Sequence, residues 1–542
     1  MTTLPRELYR AEHVRELDRI AIEVVGTPGI VLMERAGKAA FDALRWRWPR
    51  VRHIGVLCGV GNNGGDGFVV ARLAAEAGVA VRILMLGDTR RLKGDALLAF
   101  NKLPSTVSVQ PFDKSIGEVF DVIVDAMLGT GLKGPVEGQW RVAIGWVHQA
   151  KRQIGSQVMS LDIPSGLQAD TGCVTGAAVP ADLTITFIGV KQGLMTASGP
   201  DYCGELGFND LQVDPAIYQH VSASATLLTG DTLQDVFSPR VKNAHKRNYG
   251  HVLVIGGNWG MPGAVQLAAN AALRTGAGMV SVATRFEHIA GIVSACPELM
   301  CHGIGSAVDV QKLLPSATCV AIGPGLGQDD WARGLLREVL QCGLPLVVDA
   351  DALNLLANEP IYRQNWVLTP HPGEAGRLLG LTTAQVQADR FSAVRQLQAN
   401  YGGVVVLKGC GTLVASPSGY GGAQDQQGNV APGLATIRLC QAGNPGMASA
   451  GMGDVLTGVV SATIAQHMAW QTVHTEVGTL NPTAQPAGQP SIKEKVALDV
   501  AAWAAVYLHS LAGDMAAEQG ERGLLASDLF PFIHQLVNSA NE

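Results

Sequence analysis

Short apolar runs, each closed by a loop of Gly, Pro, Ser or Asp, recur through most of this chain, and that beat limits its fold more than any other feature. Residues 53–58 (HIGVLC) end in a glycine-rich loop, residues 68–77 (FVVARLAAEA) carry helical spacing, and residues 79–86 (VAVRILML) read as the next strand, which together make a βαβ unit. Residues 121–125, 157–162 and 183–188 are further runs of the same kind. Strands that are apolar throughout, without alternation, are buried on both faces. The expected class is therefore α/β, with a parallel sheet covered by helices on both sides. The beat pauses in the more polar stretch 214–248, which ends in the basic run 242–247, and a second series then begins. Its strand candidates are 252–255, 279–283, 319–322, 346–349, 367–369 and 404–407. The expected division is near residue 222, into 1–222 and 223–542, and the halves do not repeat each other. Residues 472–491 (TVHTEVGTLNPTAQPAGQPS) are polar and rich in Pro and Thr, as an exposed loop or insertion would be.

Composition narrows the partners. With 47% hydrophobic residues the chain can bury a core, which excludes a largely disordered protein. A formal charge of −6, from 40 Lys+Arg against 46 Asp+Glu, argues against nucleic acid as a partner, since phosphate-backbone affinity needs clustered cations. No uninterrupted apolar stretch has membrane length. The most apolar late segment, 496–513, contains Asp499 and His509 and reads as a buried helix, so no membrane partner is expected. The charged N-terminus lacks the apolar centre of a signal peptide. Nine Cys without a C-x-x-C pair read as buried free thiols in a reducing compartment, and a cytoplasmic location is expected.

Three loops carry the chemistry of the first half. Residues 59–67 read GVGNNGGDG, and Gly59, Gly61 and Gly64 fit G-x-G-x-x-G between a strand and a helix, the setting of a phosphate-binding turn. The same glycines would equally serve a tight strand-to-helix turn with no ligand. Asp125 ends a strand ahead of residues 129–135 (GTGLKGP), and Asp162 ends another within LDIPSG. Ligands of open α/β sheets bind beyond the carboxyl ends of strands, so the three loops are expected to converge. Asn63, Asp125 and Ser165 offer only oxygen, which suits a hard cation. A lone strand-end Asp otherwise caps the next helix.

NNGGDG, DAMLGTG and LDIPSG resemble the NAD(P)H-hydrate epimerase family over about residues 10–220. The resemblance implies a Rossmann-like three-layer domain that interconverts the R and S forms of hydrated NADH and NADPH. It implies hydrate binding by Asn62, Asn63, Gly64, Gly65 and Asp66, with Gly129, Thr130, Gly131, Leu132, Lys133, Gly134 and Pro135. It implies potassium at Asn63, Asp125 and Ser165. Asp162 would face the nicotinamide end, where a carboxylate can exchange a proton while the hydroxylated carbon inverts.

The second half has no Walker sequence. It has residues 444–454 (NPGMASAGMGD) ahead of an apolar helix. Residues 451–453 would present amides at a helix N-terminus, where an anion is favoured, and Asp454 could take a proton from a hydroxyl attacking phosphorus. An Asp there would also simply complement the helix dipole. GPGLG (323–327), DADALN (349–354), TPHPGE (369–374) and KGCGT (408–412) each follow a strand candidate. His371, between two prolines, either contacts substrate or serves its turn. In this order the segments resemble the ADP- or ATP-dependent NAD(P)H-hydrate dehydratase family over about residues 226–535, which implies a ribokinase-like α/β domain. By that resemblance Ala264, Gly327, His371 and Asp454 contact the hydrate, and Lys408, Gly409, Cys410, Gly411, Thr412 and Gly453 contact the nucleotide. The co-substrate would be ADP or ATP, with magnesium. The hydrate hydroxyl is phosphorylated, and phosphate is then expelled to regenerate NAD(P)H.

Ala450 stands where the family has Gly, and its methyl group would crowd the turn if φ had to be positive. His245-Lys246-Arg247 stands for the family's frequent His-Lys-Gly, and the 472–491 segment is long for the family. The expected function is a bifunctional nicotinamide nucleotide repair enzyme, with small-molecule nucleotides and further copies of itself (a homo-oligomer) as partners. The alternatives are a ribokinase-like small-molecule kinase fused to a dinucleotide-binding domain, and an N-terminal half that only senses a nucleotide or binds a protein.

Overall fold

The computed structural model describes residues 4–132, 134–417, 435–478 and 498–539. The chain divides into two compact units, Met1–Thr226 and Leu227–Glu542.

The first unit is built on seven strands: β1 (His53–Cys58), β2 (Ala80–Met85), β3 (Ser108–Pro111), β4 (Val122–Ala126), β5 (Gln157–Leu161), β6 (Leu183–Phe187) and β7 (Glu205–Asn209). All are parallel, in the order β3-β2-β1-β4-β5-β6-β7. The expected runs are strands because both their faces are covered. Ile54 and Val56 pack with Leu32, Met33 and Val69 from the helices Gly29–Arg47 and Asn62–Glu76. Leu57 and Ile123 pack on the opposite side with Ala143, Ile144 and Val147 of Gly138–Gln149. Three layers result. The chain turns in opposite directions after β1 and β4, which opens a crevice beyond their carboxyl ends. Glu7–Tyr9 forms a separate short strand in which Leu8 lies antiparallel to Ala225.

One expectation is corrected here. The helix after β1 starts at Asn62, so residues 62–67 are its first turns and not a loop. None of Gly59, Gly61, Gly64, Gly65 or Gly67 has a positive φ. Their purpose is close approach. A Cβ at Gly64 would fall 2.0 Å from the carbonyl oxygen of Gly59, and one at Gly67 would fall 2.6 Å from Ala126 Cβ.

The second unit repeats the principle. Its strands are β8 (His251–Ile255), β9 (Met279–Thr284), β10 (Met300–Gly303), β11 (Cys319–Ile322), β12 (Leu346–Val348), β13 (Trp366–Leu368), β14 (Val404–Leu407), β15 (Thr412–Ser416) and β16 (Thr436–Cys440). The order is β10-β9-β8-β11-β12-β13-β14-β15-β16. The sheet is parallel as far as β14, and β15 and β16 are antiparallel. The short turn between β14 and β15 cannot make a parallel crossover, so the chain doubles back. Helix Pro262–Thr275 packs so tightly on helix Met452–Gly478 that a Cβ at Gly458 would lie 2.0 Å from the carbonyl oxygen of Ala268. Leu498–Ala516 is a buried helix, with Asp499 and His509 inside.

The helix ending at Gly478 takes in residues 472–478, which correct the reading of an exposed loop there, and 479–491 lie outside the described residues. So does Lys133. All nine cysteines are free. Among the described residues no helix is long and apolar enough to cross a membrane.

Candidate active sites

In the first unit the three loops meet beyond β1, β4 and β5. Asp125 is fully buried at the end of β4. Its carboxylate accepts the Ser165 hydroxyl (2.6 Å), the Ser165 amide (2.8 Å), the Ser160 hydroxyl (2.9 Å) and the Met127 amide (3.2 Å). Burial nonetheless holds this carboxyl above its ordinary range, against the pull of those bonds. Ser165 Oγ accepts the Leu128 amide (2.9 Å), and Asn63 Nδ2 donates to the Leu128 carbonyl (3.2 Å). Asn63, Asp125 and Ser165 therefore gather around one backbone segment. Asn63 Oδ1 is buried there with no partner.

Asp162 follows β5 in a left-handed backbone, φ 65°, a conformation that costs a non-glycine residue energy and persists only where its surroundings enforce it. Its amide is held by the Ile185 carbonyl (2.7 Å). Its carboxylate pairs with Lys191, whose ammonium also donates to Thr186 Oγ1 (3.0 Å) and the Phe187 carbonyl (3.1 Å). The Lys191 side chain is 1% exposed. A Cβ built on Gly129 would lie 3.5 Å from Asn63 Cβ and 3.9 Å from Asp162 Oδ2, so Gly129 stands between the oxygen cluster and this ion pair. Two more carboxyls act on it. Burial, with some opposition from Lys191, pushes Asp18 up to about 6. Burial followed by the charges of Asp162 and Asp18 holds Asp66 well above the carboxylate range. A proton donor and a proton acceptor can thus coexist here at neutral pH. Lys191, Asp18 and Thr186 are absent from the sequence reading. A single Lys after a strand and an Asp on an N-terminal helix carry no local signal.

The second site lies beyond the carboxyl ends of β8, β11, β12, β13 and β14. Asp349, buried at the end of β12, accepts Lys408 Nζ (2.7 Å) and Thr457 Oγ1 (2.8 Å). A Cβ at Gly453 would stand 3.2 Å from Lys408 Nζ and 3.6 Å from Asp349 Oδ2, so the first turn of helix Met452–Gly478 covers this pair. Gly451 is left-handed, φ 90°, and Ala450 is not among the residues with positive φ. The turn therefore accommodates the alanine. Asp454, in that first turn, is pushed up to about 7 by burial and by Asp349, with Lys408 opposing. Burial disfavours the charge on Lys408, but Asp349 and Glu374 outweigh it and hold the ammonium above its ordinary range.

His371 caps helix Pro372–Leu379. Its Nδ1 accepts the Gly373 amide (2.9 Å), and Glu374 accepts the His371 amide (2.8 Å) in return. Burial, then the charges of Lys408 and Arg377, lower the imidazole below its ordinary value, so it is neutral at pH 7. Arg390, 1% exposed, donates to the carbonyls of Leu407 (3.2 Å), Lys408 (3.3 Å) and Gly411 (3.3 Å), fixing the turn that holds Gly409, Cys410 and Thr412. The Gly327 amide donates to Asp351 (2.9 Å), and a Cβ at Gly325 would lie 3.2 Å from Ala264 Cβ. Ala264 and Gly327 thus share one wall of the crevice between β8 and β11, where the strand order reverses.

The family described as NAD(P)H-hydrate dehydratase matches residues 252–535, and that described as YjeF-related protein N-terminus matches residues 29–193. The bifunctional NAD(P)H-hydrate repair enzyme Nnr of Coxiella burnetii is 46% identical over 533 residues, covering 98% of this chain and 99% of that protein. The enzyme of the same name from Escherichia coli is 39% identical, covering 99% of this chain and 95% of that protein. A solved ADP/ATP-dependent NAD(P)H-hydrate dehydratase from Bacillus subtilis, co-crystallized with ATP/Mg2+, is 25% identical over 58% of this chain and 98% of its own, with a TM-score of 0.44. By its two family matches and its full-length relatives, the chain belongs to the bifunctional NAD(P)H-hydrate repair enzymes.

Proposed function

We propose that the chain restores hydrated NADH and NADPH in two steps, with epimerisation in the first unit and nucleotide-driven dehydration of the S hydrate in the second. The observation that carries the reading is Asp454. It is a carboxyl raised to about 7 in the first turn of a helix whose Gly453 stands over Lys408. Such a group takes a proton from an attacking hydroxyl near neutral pH, and the helix N-terminus faces the phosphate. In the dehydration, the hydrate oxygen bonds to the terminal phosphorus of ADP or ATP as Asp454 accepts its proton and the shortened nucleotide leaves. The ring nitrogen then expels phosphate from the carbon, and loss of a ring proton completes NAD(P)H. Lys408, Gly409, Cys410, Gly411, Thr412 and Gly453 hold the nucleotide. Ala264, Gly327 and His371 position the hydrate. Magnesium would arrive on the nucleotide phosphates, since it keeps most of its water and is held through substrate phosphates.

In the epimerisation, Asp162 exchanges a proton with the hydroxyl as the ring nitrogen expels it as water and water adds back to the opposite face of the same carbon, while Asn62, Asn63, Gly64, Gly65, Asp66 and the 129–135 loop hold the hydrate. Potassium suits the oxygen cluster, because the buried Asn63 Oδ1 lacks a partner and Asp125 and Ser165 add anionic and neutral oxygen. Once bound it would fix the loop at Leu128 and add positive charge beside the hydrate's phosphates. Free thiols throughout agree with a cytoplasmic location, and the exposed Ile22, Val24 and Val25 agree with a homo-oligomer. The test is incubation with (R)- and (S)-hydrates and ADP or ATP, following the absorbance of reduced nicotinamide. Its full return from both epimers is expected. A stable phosphorylated product without NADH would identify a kinase instead.

A further inference from the structure

The loop that leads from β8 into helix Pro262–Thr275 carries an exposed indole which none of the roles above uses. Trp259 is 57% exposed and Met261 is 39% exposed. An indole held in water offers a large flat apolar face on which a planar ring can stack. The loop beneath it is rigid. The Gly257 amide donates to the Pro324 carbonyl (3.0 Å) and the Asn258 amide to the Gly325 carbonyl (2.7 Å). Asn258 Nδ2 donates to the Leu326 carbonyl (3.0 Å). The indole is braced as well. Arg285 donates to Asn258 Oδ1 (2.9 Å) and sets its guanidinium 4.0 Å from the Trp331 ring centre and 5.3 Å from that of Trp259. His288 meets Trp259 edge-on at 6.2 Å. A planar side chain fixed at its base and backed by a cation is pre-organised for stacking and loses little entropy when a flat ring covers it.

Position decides which ring. A Cβ at Gly451 would fall 2.6 Å from Leu267 Cδ1, so the start of the helix that carries Asp454 packs against Leu267. Ala264 is about one helical turn, roughly 5 Å, back along the same helix, and Trp259 lies further still, beyond the helix start at Pro262. With the hydrate hydroxyl at Asp454, the nicotinamide end is therefore at one end of this wall and Trp259 at the other. The two bases of a dinucleotide are separated by a pyrophosphate bridge.

We propose that Trp259, with Met261 beside it, is the platform on which the adenine base of the dinucleotide hydrate stacks, making the second site selective for dinucleotide over mononucleotide hydrates. This rests on the dehydratase reading above. The test compares (S)-NADH hydrate with the (S)-hydrate of reduced nicotinamide mononucleotide, which has no adenine, on the full chain and its Trp259→Ala and Trp259→Phe variants. The dehydratase reading stands or falls with NADH production by the unaltered chain. For the platform, Trp259→Ala is expected to raise KM for NADH hydrate roughly 5- to 100-fold, the worth of one base–aromatic stack, with kcat unchanged. KM for the mononucleotide hydrate stays as it was, and Trp259→Phe recovers most of the loss. An equal rise for both substrates, or no rise for NADH hydrate, overturns the proposal.

Discussion

Asp454→Asn is expected to abolish dehydration and, at the same time, to make the second unit more stable above neutral pH. The carboxyl is raised from 3.8 to about 7, first by burial and then by Asp349. At pH 3 it is protonated in both the folded and unfolded chain, and it contributes nothing to the difference. Between those two values the unfolded chain ionises it and the folded one does not, so stability falls as pH rises, until above about 7 the folded protein holds a charge it disfavours. Three units at about 1.4 kcal/mol each give roughly 4 kcal/mol. The favourable placement of a carboxylate in a first helical turn returns about 0.3–1 kcal/mol, leaving roughly 3 kcal/mol for the neutral amide to recover. In a unit of this size that is a rise of several degrees in Tm at pH 8, shrinking towards zero near pH 4. Dehydration should fall by about 10²–10⁴-fold with the base gone, while epimerisation is spared. Scanning calorimetry of the nucleotide-free protein across pH 4–8, together with both activity assays, makes the comparison. Near-normal NADH recovery would remove Asp454 from the reaction. A variant less stable than its parent at pH 8 would refute burial as the origin of the raised carboxyl.

In the unaltered chain, dehydration should rise with pH through about 7, because the active form of Asp454 is the carboxylate; a flat profile from pH 6 to 8 contradicts that assignment. Exchanging potassium for tetramethylammonium should depress epimerisation and leave dehydration alone, and an unchanged epimerisation rate removes the ion from the oxygen cluster. Lys191→Met leaves Asp162 without its ammonium in a site where breaking a buried pair costs about 3–5 kcal/mol, so it and Asp162→Asn should both lose epimerisation with dehydration intact, and a fully active Lys191→Met would show the pair is dispensable. Fragments cut after Thr226 should each keep one activity, whereas a cut at 222 strips Ala225 from its pairing with Leu8 and is expected to weaken the first fragment; activity that returns only when the fragments are mixed would show that the sites are shared.

The strands of both sheets were legible because their signal is local. HIGVLC, CVAI and VVVL are apolar from end to end, and only a strand covered on both faces can use them. The loops that follow them were legible for a related reason. In a parallel sheet the carboxyl ends share one edge, so strand-end Asp125, Asp162 and Lys408 could be expected at that edge before any distance was known, whereas Asp349 stood out only as part of the DADALN segment. The edge pair β15 and β16 was missed, as was the helical start at Asn62, where glycine composition points to a turn while the backbone remains helical.

The chemistry between side chains belongs to the tertiary structure alone. Lys191 reaches Asp162 across 29 residues, Lys408 reaches Asp349 across 59, and Thr457 reaches Asp349 across 108. No periodicity spans such separations. The same holds for the clamp of Arg390 on the 408–411 turn and for the indole of Trp259 above its arginine. The value of about 7 at Asp454 is likewise no property of an aspartate in GMGD; it comes from burial and from an Asp349 supplied by a different strand. Sequence determined which residues stand at the ends of strands, because backbone hydrogen bonding and apolar burial act over a few neighbours. Folding alone decided which of them touch and which carry a proton, because desolvation and Coulomb forces depend on distance in space and take no account of distance along the chain.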